Sequence, residues 1–186
     1  MEMSTLAESY LGRGLVQPHV KPIAQSLLIT SFIVGSVAIP FAAHQFGAEV
    51  GRVLSPMHFF ALLAGVVLGW RAGLLVGAAS PLVSYMLSGM PTGLSLPILV
   101  AEIGAYGLVA GLLQARGKNL WPSLIAALVA GRIVLFAAAA LLLPTPLLAY
   151  MGAVTVATIP GLVLQLVLIP PAAKLLCSWL DRRANG

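Results

Sequence analysis

Charge is what this sequence has least of. Ten lysines and arginines and five acids serve 186 residues, so 8% of the chain is charged. Soluble domains carry about 25%. With 60% hydrophobic residues and a mean hydropathy of +1.02, the chain has too much apolar surface for one soluble core. Cysteine is reduced to Cys177, which excludes an internal disulfide and reads as a buried or membrane-edge thiol. No phosphate-cradling loop is present: GLLQARGKN at 111–119 has the wrong spacing and no Ser or Thr after Lys118. His19, His44 and His58 lack metal-ligand spacing, and no GxSxG or serine–histidine arrangement occurs. No catalytic residue, metal or cofactor is therefore expected.

What is there is long apolar runs without strand-like alternation, which predicts membrane-spanning helices rather than a barrel. The fold class expected is an all-α integral membrane protein of six transmembrane helices. It forms one membrane domain over 1–186, with an N-terminal segment 1–21 and a six-helix bundle 22–180. No cleaved signal peptide is expected, because the first apolar run starts late and is long. The spans read as Pro22–Ala43, Leu54–Gly69, Gly73–Ser88, Leu96–Leu113, Leu120–Leu143 and Met151–Ile169. WRAG at 70–73 reads as a turn. The sixth span reads as interrupted at Pro160-Gly161 and closed by Pro170-Pro171, with an amphipathic turn after it. Small residues four apart recur at Ser31/Gly35, Ala38/Ala42, Gly65/Gly69, Gly73/Gly77 and Gly107/Gly111, a pattern that favours close helix approach.

The basic residues fall in the turns, so the net charge of +5 reports topology rather than nucleic-acid binding. With both termini in the cytoplasm, the inner segments hold Arg13, Lys21, Arg71, Arg116, Lys118, Lys174, Arg182 and Arg183, against Arg52 outside. Two charges remain inside spans, Glu102 and Arg132. Glu102 lies about 9 Å below the outer end of its helix and Arg132 about 12 Å, from a rise of ~1.5 Å per residue and a core of ~30 Å. At similar depth they can pair or line one pocket. An intramembrane charge costs roughly 2.5–3.5 kcal/mol on insertion scales and demands a partner, a cavity or a ligand. The plain alternative is a helix-locking ion pair. The reading favoured is a polar, outward-facing site for a small solute, with Arg132, Glu102, Tyr106, Gln165, His58 and Thr158 as its residues. Tyr106 shares a face with Glu102, while Thr155, Thr158 and Gln165 form a polar stripe on the sixth span. Tyr85 reads first as an interface anchor.

The blocks LSPMHFFALLAGVVLGWRAGLLVGAASPLVSYMLSGMP at 54–91, AEIGAYGLVAGLL at 101–113, AGRIV at 130–134 and IPGLVLQLVLIPP at 159–171 resemble the substrate-binding S components of energy-coupling factor (ECF) vitamin transporters. The likeness covers roughly residues 20–176 and is greatest to the branch with pantothenate-type binders. It implies capture of a vitamin or vitamin precursor from outside a bacterial or archaeal cell membrane. The partners it implies are a transmembrane coupling subunit and two cytoplasmic ATPases, with ligand release by toppling in the bilayer. The family pocket would be built by the outer parts of the fourth to sixth helices and capped by the loop 44–52. The family's alanine-xxx-alanine coupling pattern on the first helix is not found near its expected place. Ser26/Thr30 and Ser31/Gly35 stand near that place. A stand-alone ion-coupled carrier and a ligand-free assembly protein are the other readings the residues allow.

Overall fold

The computed structural model describes residues 15, 17–18, 20–44, 56–91, 93–144 and 146–184. Among them the chain forms six helices and no strand: α1 (Pro22–His44), α2 (Pro56–Leu68), α3 (Trp70–Ser88), α4 (Ser95–Ala115), α5 (Leu120–Leu142) and α6 (Leu147–Ala184). In hydrocarbon each backbone N–H and C=O must find its partner within the chain, and a helix supplies these partners locally. Four of the helices, α1, α4, α5 and α6, are long and apolar enough to cross a membrane. The loop 44–52, expected to cap the site, lies outside the described residues apart from its first position.

α2 explains the bundle. Its 13 residues extend about 20 Å, short of a ~30 Å core. Every residue from Ala61 to Val67 is buried, so the helix is apolar on all sides and packed on all sides. It touches α1, α3, α4, α5 and α6, which wrap around it. A helix enclosed by its neighbours has no need to match the bilayer. Phe32 on α1, Leu62, Leu63, Val66 and Val67 on α2, Tyr106 on α4, Leu124 and Leu128 on α5, and Ile169 on α6 belong to this main core.

Two of the expected boundaries are corrected. WRAG is not a turn, because α3 already begins at Trp70; Gly69 alone reverses the chain. Its φ of 96° is open to glycine and strained for other residues. The reversal sets Gly65 against Gly73, and both press on the Gly107 backbone of α4, where a Cβ would overlap its carbonyl. Gly77 meets Ile103 and Gly111 meets Trp70 in the same way, so the GxxxG pairs fuse α2, α3 and α4 into one seam. On α1 the expectation holds at Gly35, which faces the Phe60 ring, whereas Ser31, Ala38 and Ala42 are exposed.

The second correction concerns α6, which starts at Leu147 and runs 38 residues through Pro160, Pro170 and Pro171. Proline removes a hydrogen bond and crowds the preceding turn. Here the apolar face Ile169, Ala173, Cys177 and Leu180, at helical spacing, is buried in the main core and keeps the register beyond the prolines. Cys177 is 6% exposed as a result. It should therefore react with maleimide much more slowly in the folded protein than after SDS denaturation. Equal rates would mean that the helix ends at the prolines.

The segment before α1 is tied to the same end of the bundle as Gly69. The Leu15 N–H donates to Gln114 Oε1 at 3.0 Å, and Gln17 Nε2 donates to the Gly65 and Val66 carbonyls at 3.3 and 3.2 Å.

Candidate functional site

Three helices each place one polar residue between two apolar ones. On α4, Glu102 lies a turn from Ile98 and a turn from Tyr106; on α5, Arg132 lies between Leu128 and Leu135; on α6, Thr158 lies between Val154 and Leu162. Tyr106, Leu128 and Leu162 belong to the main core. Ile98, Leu135 and Val154 belong to a second, smaller cluster that also holds Ala139, Phe136 and Tyr150. The polar residues thus form a layer between two apolar ones.

Glu102 is the centre of that layer and is 2% exposed. Its Oε1 accepts from the Tyr106 hydroxyl at 2.8 Å and lies 3.3 Å from Arg132 Nη1. His58 Nε2, reaching in from α2, is 3.7 Å from the same oxygen, an electrostatic contact too long for a hydrogen bond. The His58 and Tyr106 rings stack at a tilt, with centroids 5.2 Å apart. Arg132 Nη2 donates to Thr158 Oγ1 at 2.9 Å, and that hydroxyl donates onward to the Val154 carbonyl at 2.7 Å. The depth argument from sequence therefore ends in a direct ion pair, with α2, α4 and α5 meeting at one carboxylate oxygen and Arg132 carrying the connection on to α6.

Gly131, beside Arg132, makes the arrangement possible: a Cβ there would overlap the Tyr106 ring. Tyr106 is fully buried, and its hydroxyl is a hydrogen-bond donor to the carboxylate. Tyr106→Phe keeps the ring and removes that donor. Hydrogen bonds to charged groups are worth about 1.5–3 kcal/mol, so the variant should unfold at lower temperature by that order of stability. An unchanged melting curve would show that the bond contributes nothing.

The layer keeps unused hydrogen-bonding capacity. Among the described residues, Arg132 Nε and His58 Nδ1 are buried without a hydrogen-bond partner. Both side chains are 14% exposed, against 2% for Glu102, so the carboxylate is sealed behind them. A guanidinium has five N–H donors in a planar fork. The pair with Glu102 and the bond to Thr158 leave Arg132 with capacity for another acceptor.

The remaining residues singled out from sequence fall elsewhere. Gln165 is buried but bonds to none of the four helices' polar residues; it stands instead beside a cavity between α1, α2 and α6. Thr155 is exposed, so the stripe on α6 contributes Thr158 alone to the layer. Tyr85 is exposed near the end of α3, as an interface anchor would be. Sequence reasoning missed Gly131, for which a small residue adjoining an intramembrane arginine was the available signal. No group of three or more His, Cys, Asp or Glu that could hold a metal occurs among the described residues.

No curated protein and no solved structure matches the chain significantly. One family model does match, that of the ECF transporter, substrate-specific component, over residues 23–173. That stretch runs from the start of α1 into α6 and contains every residue of the polar layer, and on this match the chain belongs to the family of ECF transporter substrate-specific components.

Proposed function

We propose that this subunit captures a small, water-soluble vitamin or vitamin precursor bearing an acid group, of which a pantothenate-like molecule is the best fit. Membership in the family makes the chain the substrate-specific membrane subunit of an ECF transporter. Such a subunit transports rather than catalyses, and associates with a transmembrane coupling subunit and ATPases. The ligand's identity is the finer step. The observation that carries it is the Arg132 guanidinium, charge-balanced by a sealed Glu102 and still holding an unpartnered Nε. Arginine accepts a carboxylate through two parallel N–H bonds, which fixes orientation as well as charge. Beside it, the unpartnered His58 Nδ1 would bond a ligand hydroxyl or amide.

The excess of basic residues at the inner turns supports an outward-facing layer in a bacterial or archaeal cell membrane, with both termini inside. The exposed face of α1 supports the coupling role. Ser26, Thr30, Ser31, Val34 and Ala38 lie on it, and Ser26 and Ser31 return their hydroxyls to the Pro22 and Leu27 carbonyls. That leaves a small, self-satisfied surface on which a partner helix can approach closely.

Thermal melting of the purified protein against a panel of vitamins and precursors tests the reading. A ligand that binds only the folded state stabilises it by about 2.7 kcal/mol at a hundredfold excess over Kd. A shift with acid-bearing compounds and none with their amides is expected. A panel without any shift would leave the Glu102–Arg132 pair as a helix lock. Uptake driven by an ion gradient without ATPases would make the protein a stand-alone carrier.

A further inference from the structure

The polar layer is covered on its outer side. Ile98, Leu135 and Ala139, each no more than 2% exposed, lie beyond Glu102 and Arg132 toward the outer ends of α4 and α5, and Tyr150 and Val154 of α6 pack against them. A water-soluble solute does not cross such an apolar plug, so one of the three helices must yield to admit it. α4 is fused to α2 and α3 at its glycines. α5 is buried at regular intervals along its length, from Leu120 to Ala139. α6 differs. Gly161, Gln165, Ile169, Ala173, Cys177 and Leu180 form a buried stripe, whereas no residue from 147 to 160 is buried.

The change falls at Pro160-Gly161. Pro160 has no N–H, so the Val156 carbonyl loses its helical donor, and the glycine that follows is the least constrained residue a backbone can have. Helices bend at such places. Outward of this joint, Tyr150, Met151, Val154 and Thr158 are half-buried along one line, and a Cβ at Gly152 would meet nothing within 4 Å. Among the described residues, one hydrogen bond ties this half of α6 to another helix: Arg132 Nη2 donates to Thr158 Oγ1 at 2.9 Å. The hydroxyl gives its own proton to the Val154 carbonyl, which leaves a lone pair for the guanidinium.

We propose that residues 147–160 are a gate: the outer half of α6 swings about Pro160-Gly161, and the Arg132–Thr158 hydrogen bond latches it shut over the polar layer. Opening frees Arg132 Nη2, so the donor that holds the gate closed becomes available to an entering acid group. That a solute passes the gate rests on the nutrient reading. The hinge and the latch do not, and they are tested without a ligand.

The test is the rate at which a buried thiol reacts with 2-sulfonatoethyl methanethiosulfonate, a water-soluble anion, in lipid nanodiscs. Each protein carries Cys177→Ser and one new cysteine: Ala139→Cys under the gate, or Ser84→Cys, buried near the outer end of α3. Losing a hydrogen bond to a charged group should raise the open fraction about tenfold or more. Adding Thr158→Val should therefore speed the Ala139→Cys reaction by that factor and leave the Ser84→Cys reaction unchanged. Pro160→Ala restores a donor to the Val156 carbonyl and should slow the Ala139→Cys reaction. No acceleration by Thr158→Val overturns the proposal. So does equal acceleration at both sites, which would report a general loosening of the bundle. Where Thr158→Val does not fold, Pro160→Ala decides the matter, and an unchanged rate overturns the hinge. A vitamin panel without any thermal shift would not alter these rates, so the gate and the nutrient reading fail separately.

Discussion

Arg132→Ala is expected to abolish solute binding and to destabilise the protein, and the two losses should be separable. Among the described residues, Arg132 supplies the guanidinium that faces the sealed Glu102 carboxylate, at 3.3 Å. Removing it leaves a buried acid with the Tyr106 hydroxyl and the His58 contact, and breaking one side of a buried pair costs about 3–5 kcal/mol. Adding Glu102→Gln removes the stranded charge, while the amide oxygen still accepts from Tyr106. The double variant should therefore melt close to the unaltered protein. Binding should not return, since loss of a hydrogen-bonded charge partner costs about 2–5 kcal/mol, at least roughly 30-fold in affinity. Glu102→Gln alone should weaken binding by a smaller factor, because the guanidinium keeps an acceptor but loses the charge that holds it. Equilibrium binding and thermal melting on the four proteins read both losses. A double variant that melts normally and binds normally would leave Arg132 with a packing role only.

Gly107→Ala is expected to cost most of the folded protein. A Cβ there would run into the backbone of Gly73, while Gly65 of α2 already lies against the Gly107 carbonyl. No flexible side chain stands between these backbones, so three helices must move apart together. Overpacking a core costs typically 1–3 kcal/mol even where side chains can shift, and about 3 kcal/mol or more is expected here. The bundle's other glycines provide controls. At Gly104 the nearest atom is Leu74 Cδ1, at 3.3 Å, which can rotate away. At Gly152 nothing lies within 4 Å, and alanine should gain about 0.5–1 kcal/mol of helix stability. Recovery of monodisperse protein in detergent should follow the order Gly152→Ala, Gly104→Ala, Gly107→Ala. Normal recovery of Gly107→Ala would mean that the three-helix seam is looser than its glycines imply.

The parts of this molecule legible in its sequence are those fixed by the bilayer. Apolar run length gave six helices, and depth counted from the span ends brought Glu102 and Arg132 together. The GxxxG pairs marked close approach, though not that Gly65, Gly73 and Gly107 converge on one point. That convergence depends on the one-residue reversal at Gly69, which only three-dimensional packing reveals. α6 misled for a different reason. Pro160, Pro170 and Pro171 are local breaking signals, and the buried face from Ile169 to Leu180 that overrides them is tertiary. The stripe Thr155, Thr158 and Gln165 was read as one surface. Positions seven apart share a face but stand about 10 Å apart along the axis. Thr158 thus reaches Arg132 while Gln165 stands beside a separate cavity with Phe59 and Phe60. His58 could not be ranked from sequence, because α2 becomes the enclosed centre of the bundle only once five other helices pack on it.

Native mass spectrometry of the protein released from lipid nanodiscs, beside the Arg132→Ala/Glu102→Gln variant, bears most directly on whether the layer grips a solute. An acid-bearing small molecule at one per chain on the unaltered protein, and none on the folded variant, is the result expected. The same molecule at the same occupancy on both proteins would contradict a ligand held by Arg132.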